Sequence, residues 1–445
     1  MHKRQRLSPT DAGLLGLEER RRMPLHAGTV AVFEGAAPDL RELRERVAAR
    51  LPLLAHHRST PAPVPLRQGR PLWVADPAFS LEHHVHATAL PDGGGEHELA
   101  ALAARLFERP LQRGRALWEL WLVENVSSTR FALIAKTHLA LLDSGPDVLA
   151  LALDAELTQR SPAPAPPPAP APLRLLLETL AERATSPREN LEHARAAGAR
   201  AREELRWRDL DPLSLIGPPV RSQLYARPGL GRRFAWVDAG LKGARRSKER
   251  LGGTLNDVVL TALAGALGTY LREHGQDTDG QLLRALVPLA GGAEGLIAGY
   301  APLPVGIEDP RRRHAEISRA LDGLRASGRA RSASDLLESA GSAPGATVGR
   351  ATRLALRHHA YDLVIANLPG PQRRLTLLGR ELAALYPALP LLRTQGLSVA
   401  VVSYAGRLCF GLLADYDAIA DLDLLATLLA ESLRELPKAP AKRID

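Results

Sequence analysis

RFALIAKTHLALLDSGPDVLA, residues 130 to 150, is the stretch on which the reading of this chain turns. Phe131 to Lys136 is predicted to be a strand, Asp143-Ser144-Gly145 a turn, and an apolar helix starts beyond it. A rigid strand ending in a tight turn is a place where a catalytic side chain can be held, and the N-terminus of the next helix favours negative charge. His138, followed five residues later by Asp143, is the only acid/base pair in the sequence with that setting.

Upstream, Ser8 and Pro9 read as the N-cap and first residue of a helix. Thr29 to Phe33 is strand-like, and residues 38 to 52 carry apolar residues at helical spacing and end at Pro52. Strand and helix alternate, which predicts mixed α/β layers. Downstream, the Pro/Ala-rich run 161–172 favours an extended polyproline conformation and cannot join a sheet, so it marks the end of a first half, 1–160. Residues 173–230 are expected to form a helical connector, broken near Ser186-Pro187. Leu175, Leu176, Leu177 and Leu180 cluster on its first part and suggest a lipid-facing role beside the plainer one of a solvated connector.

The second half is expected over 231–445. Thr254 and Asp257 form a capping-box pattern at the head of a helix reaching about Arg272. Asn367-Leu368-Pro369-Gly370-Pro371 is a turn in which proline sets φ and Gly370 accepts a positive φ. Gly396 to Gly411 reads as two strands joined by an Ala-Gly turn, and Asp421 to Leu436 as the closing helix.

A chain of 445 residues is long for one core, and its apolar fraction of 45% is that of a packed protein. The formal charge of +9 does not indicate nucleic-acid binding, because the basic residues are scattered and aromatics for base stacking make up only 4%. A weakly basic surface would assist contact with anionic groups such as lipid headgroups or other phosphates. Cys409 is the single cysteine, which excludes an intramolecular disulfide and predicts a small core residue. No signal-peptide pattern and no run of eighteen apolar residues is visible, so the expected location is cytoplasmic, peripheral to membrane or lipid inclusions. The clusters His56-His57, His83-His84-His86 and His358-His359 lack carboxylates at metal-ligand spacing and are expected to be packing or surface residues, with no metal and no cofactor.

The central stretch resembles the HHxxxDG motif of acyl-CoA-dependent acyltransferases and condensation domains, and more narrowly the bacterial wax ester synthase/diacylglycerol acyltransferase family. On that motif His138 is the first histidine and Asp143 the aspartate, while Leu139 and Ser144 stand where the second histidine and the glycine belong. Leu7 to Asp11 with Pro24-Leu25-His26-Ala27-Gly28 is similar to the family's N-terminal signature. Pro110 to Glu119 resembles its PLDRxRPLWE segment, with Gln112 and Ala116 as departures. Asn256-Asp257 is similar to its Asn-Asp motif and 366–372 to its SNVPGP turn. After Pro288 the likeness weakens, and the arginine of the family's Val-Ser-x-Arg run is missing.

The resemblance implies two α/β halves of the chloramphenicol-acetyltransferase type, each a mixed sheet flanked by helices, with a tunnel between them and residues 138 to 145 at its middle. It implies transfer of a long-chain acyl group from acyl-CoA, the substrate and not a cofactor, to diacylglycerol or a fatty alcohol. Asn256, Asp257, Asn367 and Gly370 would then lie along the substrate path. In the family the second histidine deprotonates the acceptor hydroxyl, and Leu139 has no titratable group. His138 would need a one-residue slip of its strand to replace it. The alternative is therefore an inactive relative that binds lipid or acyl-CoA or regulates a paralogous acyltransferase. A condensation-type enzyme with substrate-assisted chemistry is a third.

Overall fold

The computed structural model describes residues 5–21, 23–54, 56–91, 94–142, 148–154, 167–185, 224, 226, 228–290, 296–326, 361–392 and 395–438. The first half opens with helix α1 (Pro9–Arg21), whose cap is the predicted one: the Ser8 hydroxyl accepts the Asp11 N–H at 3.0 Å. Strand β1 (His26–Glu34) follows, then α2 (Leu40–Arg50), where Asp39 takes the Arg41 N–H at 2.7 Å and Leu43 and Val47 face the core. A small hairpin of β2 (Ser59–Ala62) and β3 (Leu72–Ala75) leads to β4 (Val85–Ala89) and α3 (Glu96–Glu108). Strands β5 (Trp118–Ser127) and β6 (Arg130–His138) come next, then the short helices α4 (Leu139–Leu142) and α5 (Leu149–Ala152), and α6 (Pro172–Thr185).

In the second half β7 (Arg232–Gly240) leads to α7 (Leu241–Leu251) and α8 (Leu255–Glu273), then β8 (Leu282–Ala290), β9 (Leu296–Pro304) and α9 (Pro310–Ala326). The remainder is β10 (Leu363–Pro369), β11 (Thr376–Leu377), β12 (Arg380–Ala388), β13 (Leu397–Tyr404), β14 (Arg407–Asp415) and α10 (Leu422–Glu435). Among the described residues no single helix is long and apolar enough to cross a membrane.

Two six-stranded mixed sheets organise these elements, in the orders β11-β12-β1-β6-β5-β4 and β7-β14-β13-β10-β8-β9. Strand β6 is buried along its whole length after Arg130, as expected of an inner strand covered on both faces. It runs two residues past the sequence-predicted end, so His138 closes the strand and Leu139 begins α4. β13 and β14 join through Ala405 and Gly406, both at positive φ (44° and 81°), the geometry a two-residue hairpin demands.

The sheets do not divide the chain at one point. β11 and β12 follow β10 in sequence, yet β12 pairs antiparallel with β1, from Gly28↔Ala388 to Phe33↔Leu382. The second half thus completes the sheet of the first. One face of β1 and β6, with Val30, Val32, Ala132 and Ile134, packs with α3 against Phe234, Val402, Cys409 and Leu413 of the second sheet. Phe107 meets Phe234 edge-on at 5.4 Å, and its ring sits where a Cβ on Gly28 would be, at 2.1 Å. That contact explains the glycine of Pro24–Gly28: a side chain there would fill the space of α3. The polyproline run also touches the fold, since the Pro167 carbonyl accepts the Ala75 N–H at 2.9 Å.

Candidate active site

His138 stands at the end of β6, fully buried, on the same face as Lys136 and directly across from His26 on β1. Register between the two strands is continuous from His26↔His138 to Glu34↔Arg130, so the one-residue slip that would swing His138 into its neighbour's place does not occur. The Ala140 N–H donates to His138 Nδ1 at 3.1 Å. Nε2 faces Glu18 Oε2 at 3.5 Å. Nδ1 is thereby committed to the backbone, while Nε2, though buried beside Glu18, makes no hydrogen bond among the described residues.

Glu18 lies on α1, buried, where its carboxylate also accepts the Leu25 N–H at 3.1 Å and the Arg113 guanidinium. Burial opposes its ionisation, but His138, Arg113 and the Leu25 N–H outweigh burial and hold the carboxyl below its usual range. The carboxylate that serves His138 in the described structure is therefore Glu18, a residue sequence reasoning missed. Its signal was slight: it lies between the two pieces of the N-terminal signature, and no spacing rule connects position 18 with 138. Arg113, in the Pro110–Glu119 segment, completes the chain of contacts. Trp118 of that segment is structural, fully buried with its indole N–H on the His57 carbonyl at 2.7 Å.

Leu139 donates its N–H to the Leu25 carbonyl at 3.0 Å, and its half-buried side chain joins Leu14, Leu17, Met23, Leu25 and Leu392. Leu139 is thus packed among hydrocarbon from α1, the β1 approach and the second half. Asp143 and Ser144 lie outside the described residues, so the stretch expected at the middle of the tunnel is described only as far as Leu142.

Two polar residues flank the ring. Lys136 is buried, with Nζ on the Arg109 carbonyl at 2.9 Å and Glu119 Oε2 at 3.4 Å; burial pushes its ammonium below the usual lysine range, only partly offset by Glu119. His26 is pushed well below the usual histidine range by burial and by the charge of Lys136.

In the second half the structure brings two of the predicted residues together. Asn367, on β10, donates through Nδ2 to Asn256 Oδ1 at the head of α8 at 3.4 Å, joining motifs 111 positions apart. Asp257 turns the other way: it accepts the Thr254 N–H at 3.0 Å, the Thr254 hydroxyl at 2.6 Å and the Ser318 hydroxyl at 3.1 Å. Those bonds make it the buried anchor of a complete capping box. The expected positive φ at Gly370 is not found. Glycine is needed there because a Cβ would lie 2.3 Å from the Ser403 carbonyl oxygen, where β10 ends against β13.

Of the described clustered histidines, His83 is exposed and the others pack. His56 stacks on Trp73, His84 lies between Phe79 and Trp118, and His86 rests on Trp121. His358 and His359 lie outside the described residues. Among the described residues no three His, Cys, Asp or Glu side chains converge as metal ligands. Cys409 is buried between the sheets and its thiol is pushed up to about 12 by burial.

The architecture, two mixed sheets of successive halves with a strand exchanged between them, is that of the chloramphenicol-acetyltransferase-like and condensation-domain class. The first condensation domain of the CDA synthetase shares it, with a TM-score of 0.57 at 15% identity over 99% of this chain and 98% of that one. Residues 7–259 match the model of the wax ester synthase/diacylglycerol acyltransferase catalytic domain, and residues 297–437 that of the WS/DGAT C-terminal domain. This chain belongs to that family. A relative described as the probable diacylglycerol O-acyltransferase tgs1 of Mycobacterium tuberculosis is 30% identical over 451 residues, 98% of this chain and 96% of its own. The wax ester synthase/diacylglycerol acyltransferase of Marinobacter aquaeolei VT8 superposes with a TM-score of 0.68 at 27% identity, over 97% of this chain and 98% of that one.

Proposed function

We propose that this chain is an acyltransferase-type protein of triacylglycerol or wax ester metabolism. It takes long-chain acyl-CoA and a lipid alcohol, either diacylglycerol or a fatty alcohol, and its transfer step has lost the general base. The observation that carries this reading is Leu139, an alkyl side chain held among Leu17, Met23 and Leu25 at the position of the motif's second histidine. Full-length likeness to relatives named for diacylglycerol acyl transfer supports the substrate class.

Transfer joins the acceptor oxygen to the thioester carbonyl, breaks the carbon–sulfur bond and releases CoA, and the hydroxyl proton must leave during the attack. Leu139 cannot take it. His138 is a poor substitute, because Ala140 occupies one nitrogen and the other faces Glu18 in a fully buried setting. The proton then passes to water or to the departing thiolate, and loss of a positioned base costs roughly 10²- to 10⁴-fold in rate.

The test is acyl transfer by purified protein beside its Leu139→His variant, with a long-chain acyl-CoA and either acceptor. Slow or silent wild type and a variant faster by about 10²-fold or more are expected; equal turnover sinks the reading. The same residue favours a second role, as a lipid- or acyl-CoA-binding partner of an active paralogue. Acyl-CoA binding by calorimetry together with a wild type that stays silent under every acceptor would select it.

A further inference from the structure

On the outer side of the first sheet a cavity of about 410 Å³ opens between the end of α2 and the segment that follows β3. That volume falls in the range, roughly 300–1,000 Å³, of sites that hold small molecules. Leu51, one of its walls, belongs to the core built on Ala31, Phe33, Leu133 and Ala135. Those residues alternate along β1 and β6 with Val30, Val32, Ala132 and Ile134, which share a face with His138. The sheet therefore separates the cavity from the acyl-transfer site.

Two opposite charges line the cavity without meeting. Asp76 is 6% exposed; its Oδ1 accepts the Ala78 N–H at 2.9 Å and its Oδ2 the Ala116 N–H at 3.2 Å. No cation lies within ion-pair distance of that carboxylate among the described residues. Arg58, exposed just before β2, has a guanidinium with no hydrogen bond or ion pair among the described residues. The two backbones are nonetheless tied, since the Asp76 N–H donates to the Arg58 carbonyl at 3.1 Å. A carboxylate so deeply buried is costly without a cation, and each of its oxygens keeps a lone pair for a further donor.

The remaining walls are apolar and fixed. Phe79 donates its N–H to the Asp76 carbonyl at 3.3 Å and stacks on His84 at 5.1 Å, which stacks in turn on the buried Trp118 at 4.6 Å. Leu51, Ala75 and Leu81 complete the hydrocarbon lining. A cation, an anion and an apolar surface within one cavity are complementary to a molecule that carries both charges and a hydrocarbon body.

We propose that this cavity binds a free α-amino acid with an apolar side chain. Its ammonium group meets Asp76, its carboxylate meets Arg58, and its side chain lies against Phe79, Leu51 and Leu81. A zwitterion is selected over a simple anion because Asp76 repels the latter, and over a simple amine because that would leave Arg58 unpaired. Binding there rests on neither acyl-CoA nor the identity of residue 139.

Isothermal titration calorimetry of the full chain with L-leucine and with truncated probes tests the proposal. Isocaproate lacks the ammonium group, isopentylamine the carboxylate, and glycine the side chain. Leucine is expected to bind, and each probe to bind about tenfold more weakly or worse. Arg58→Gln should weaken leucine about tenfold and leave isopentylamine unchanged. The Arg58 side chain is exposed, so the melting temperature of this variant without ligand should match wild type. No heat with leucine at millimolar concentration, isocaproate or isopentylamine binding as tightly as leucine, or leucine binding unchanged in Arg58→Gln would each overturn the proposal.

Discussion

Glu18 sets the behaviour of the site at the scale of single residues. Its folded carboxyl is held below the usual range, so its contribution to stability is fully present above the unfolded carboxylate pKa and is lost as pH falls through the lower folded value. Glu18→Gln removes the acceptor facing His138 and the partner of Arg113. It should cost about 1–3 kcal/mol at neutral pH and flatten the acid limb of stability against pH. Urea midpoints across the acid range, compared between wild type and variant, check the sign. A variant that keeps the wild-type acid limb would mean that another carboxylate dominates it. Asp143 was the acid legible in sequence because it lies in the same short motif. Glu18 was not legible, because helix α1 reaches β6 only once the chain has folded.

Elements explain why adjacent residues of a motif take different work. Asn256 and Asp257 open α8 side by side, but successive residues in the first turn of a helix point about 100° apart. Asp257 closes the cap from within, while Asn256 reaches across to Asn367. Asp257→Ala should therefore destabilise by about 2 kcal/mol, through loss of the cap and of the buried hydroxyl bonds. Asn256→Ala should stay within about 0.5 kcal/mol of wild type. Thermal unfolding of the two variants distinguishes these roles, and the reverse order would show that Asn256 carries the helix start. The capping box could be read from Thr254 and Asp257 alone, since its donors and acceptors lie within one turn. The Asn256–Asn367 contact could not.

For the whole molecule, the exchanged strand decides how independent the halves are. Without β12, strand β1 presents an open edge, and the face carrying Val30 and Val32 loses the neighbours it has in Ala384, Tyr386 and the second sheet. Tyr386 also donates its hydroxyl to Asp238 at 2.5 Å and stacks on Trp236 at 4.9 Å, tying β12 to β7. Residues 1–160 expressed alone are expected to aggregate or remain unfolded. Soluble, cooperatively melting protein from that fragment would show that the first sheet closes without β11 and β12.

By itself the sequence determined the α/β class, the family, the caps of α1 and α8, the two-residue turn at Ala405-Gly406, and the alkyl side chain of Leu139 next to His138. Each of these rests on residue type or on neighbours within a turn or two, where local geometry leaves few alternatives. Tertiary structure alone decided that β12 completes the first sheet, that Glu18 and Arg113 serve His138, and that Gly28 and Gly370 are required by close approach rather than by backbone angle. Those contacts join positions tens to hundreds of residues apart, and their distance in space is set by packing, which no local pattern encodes.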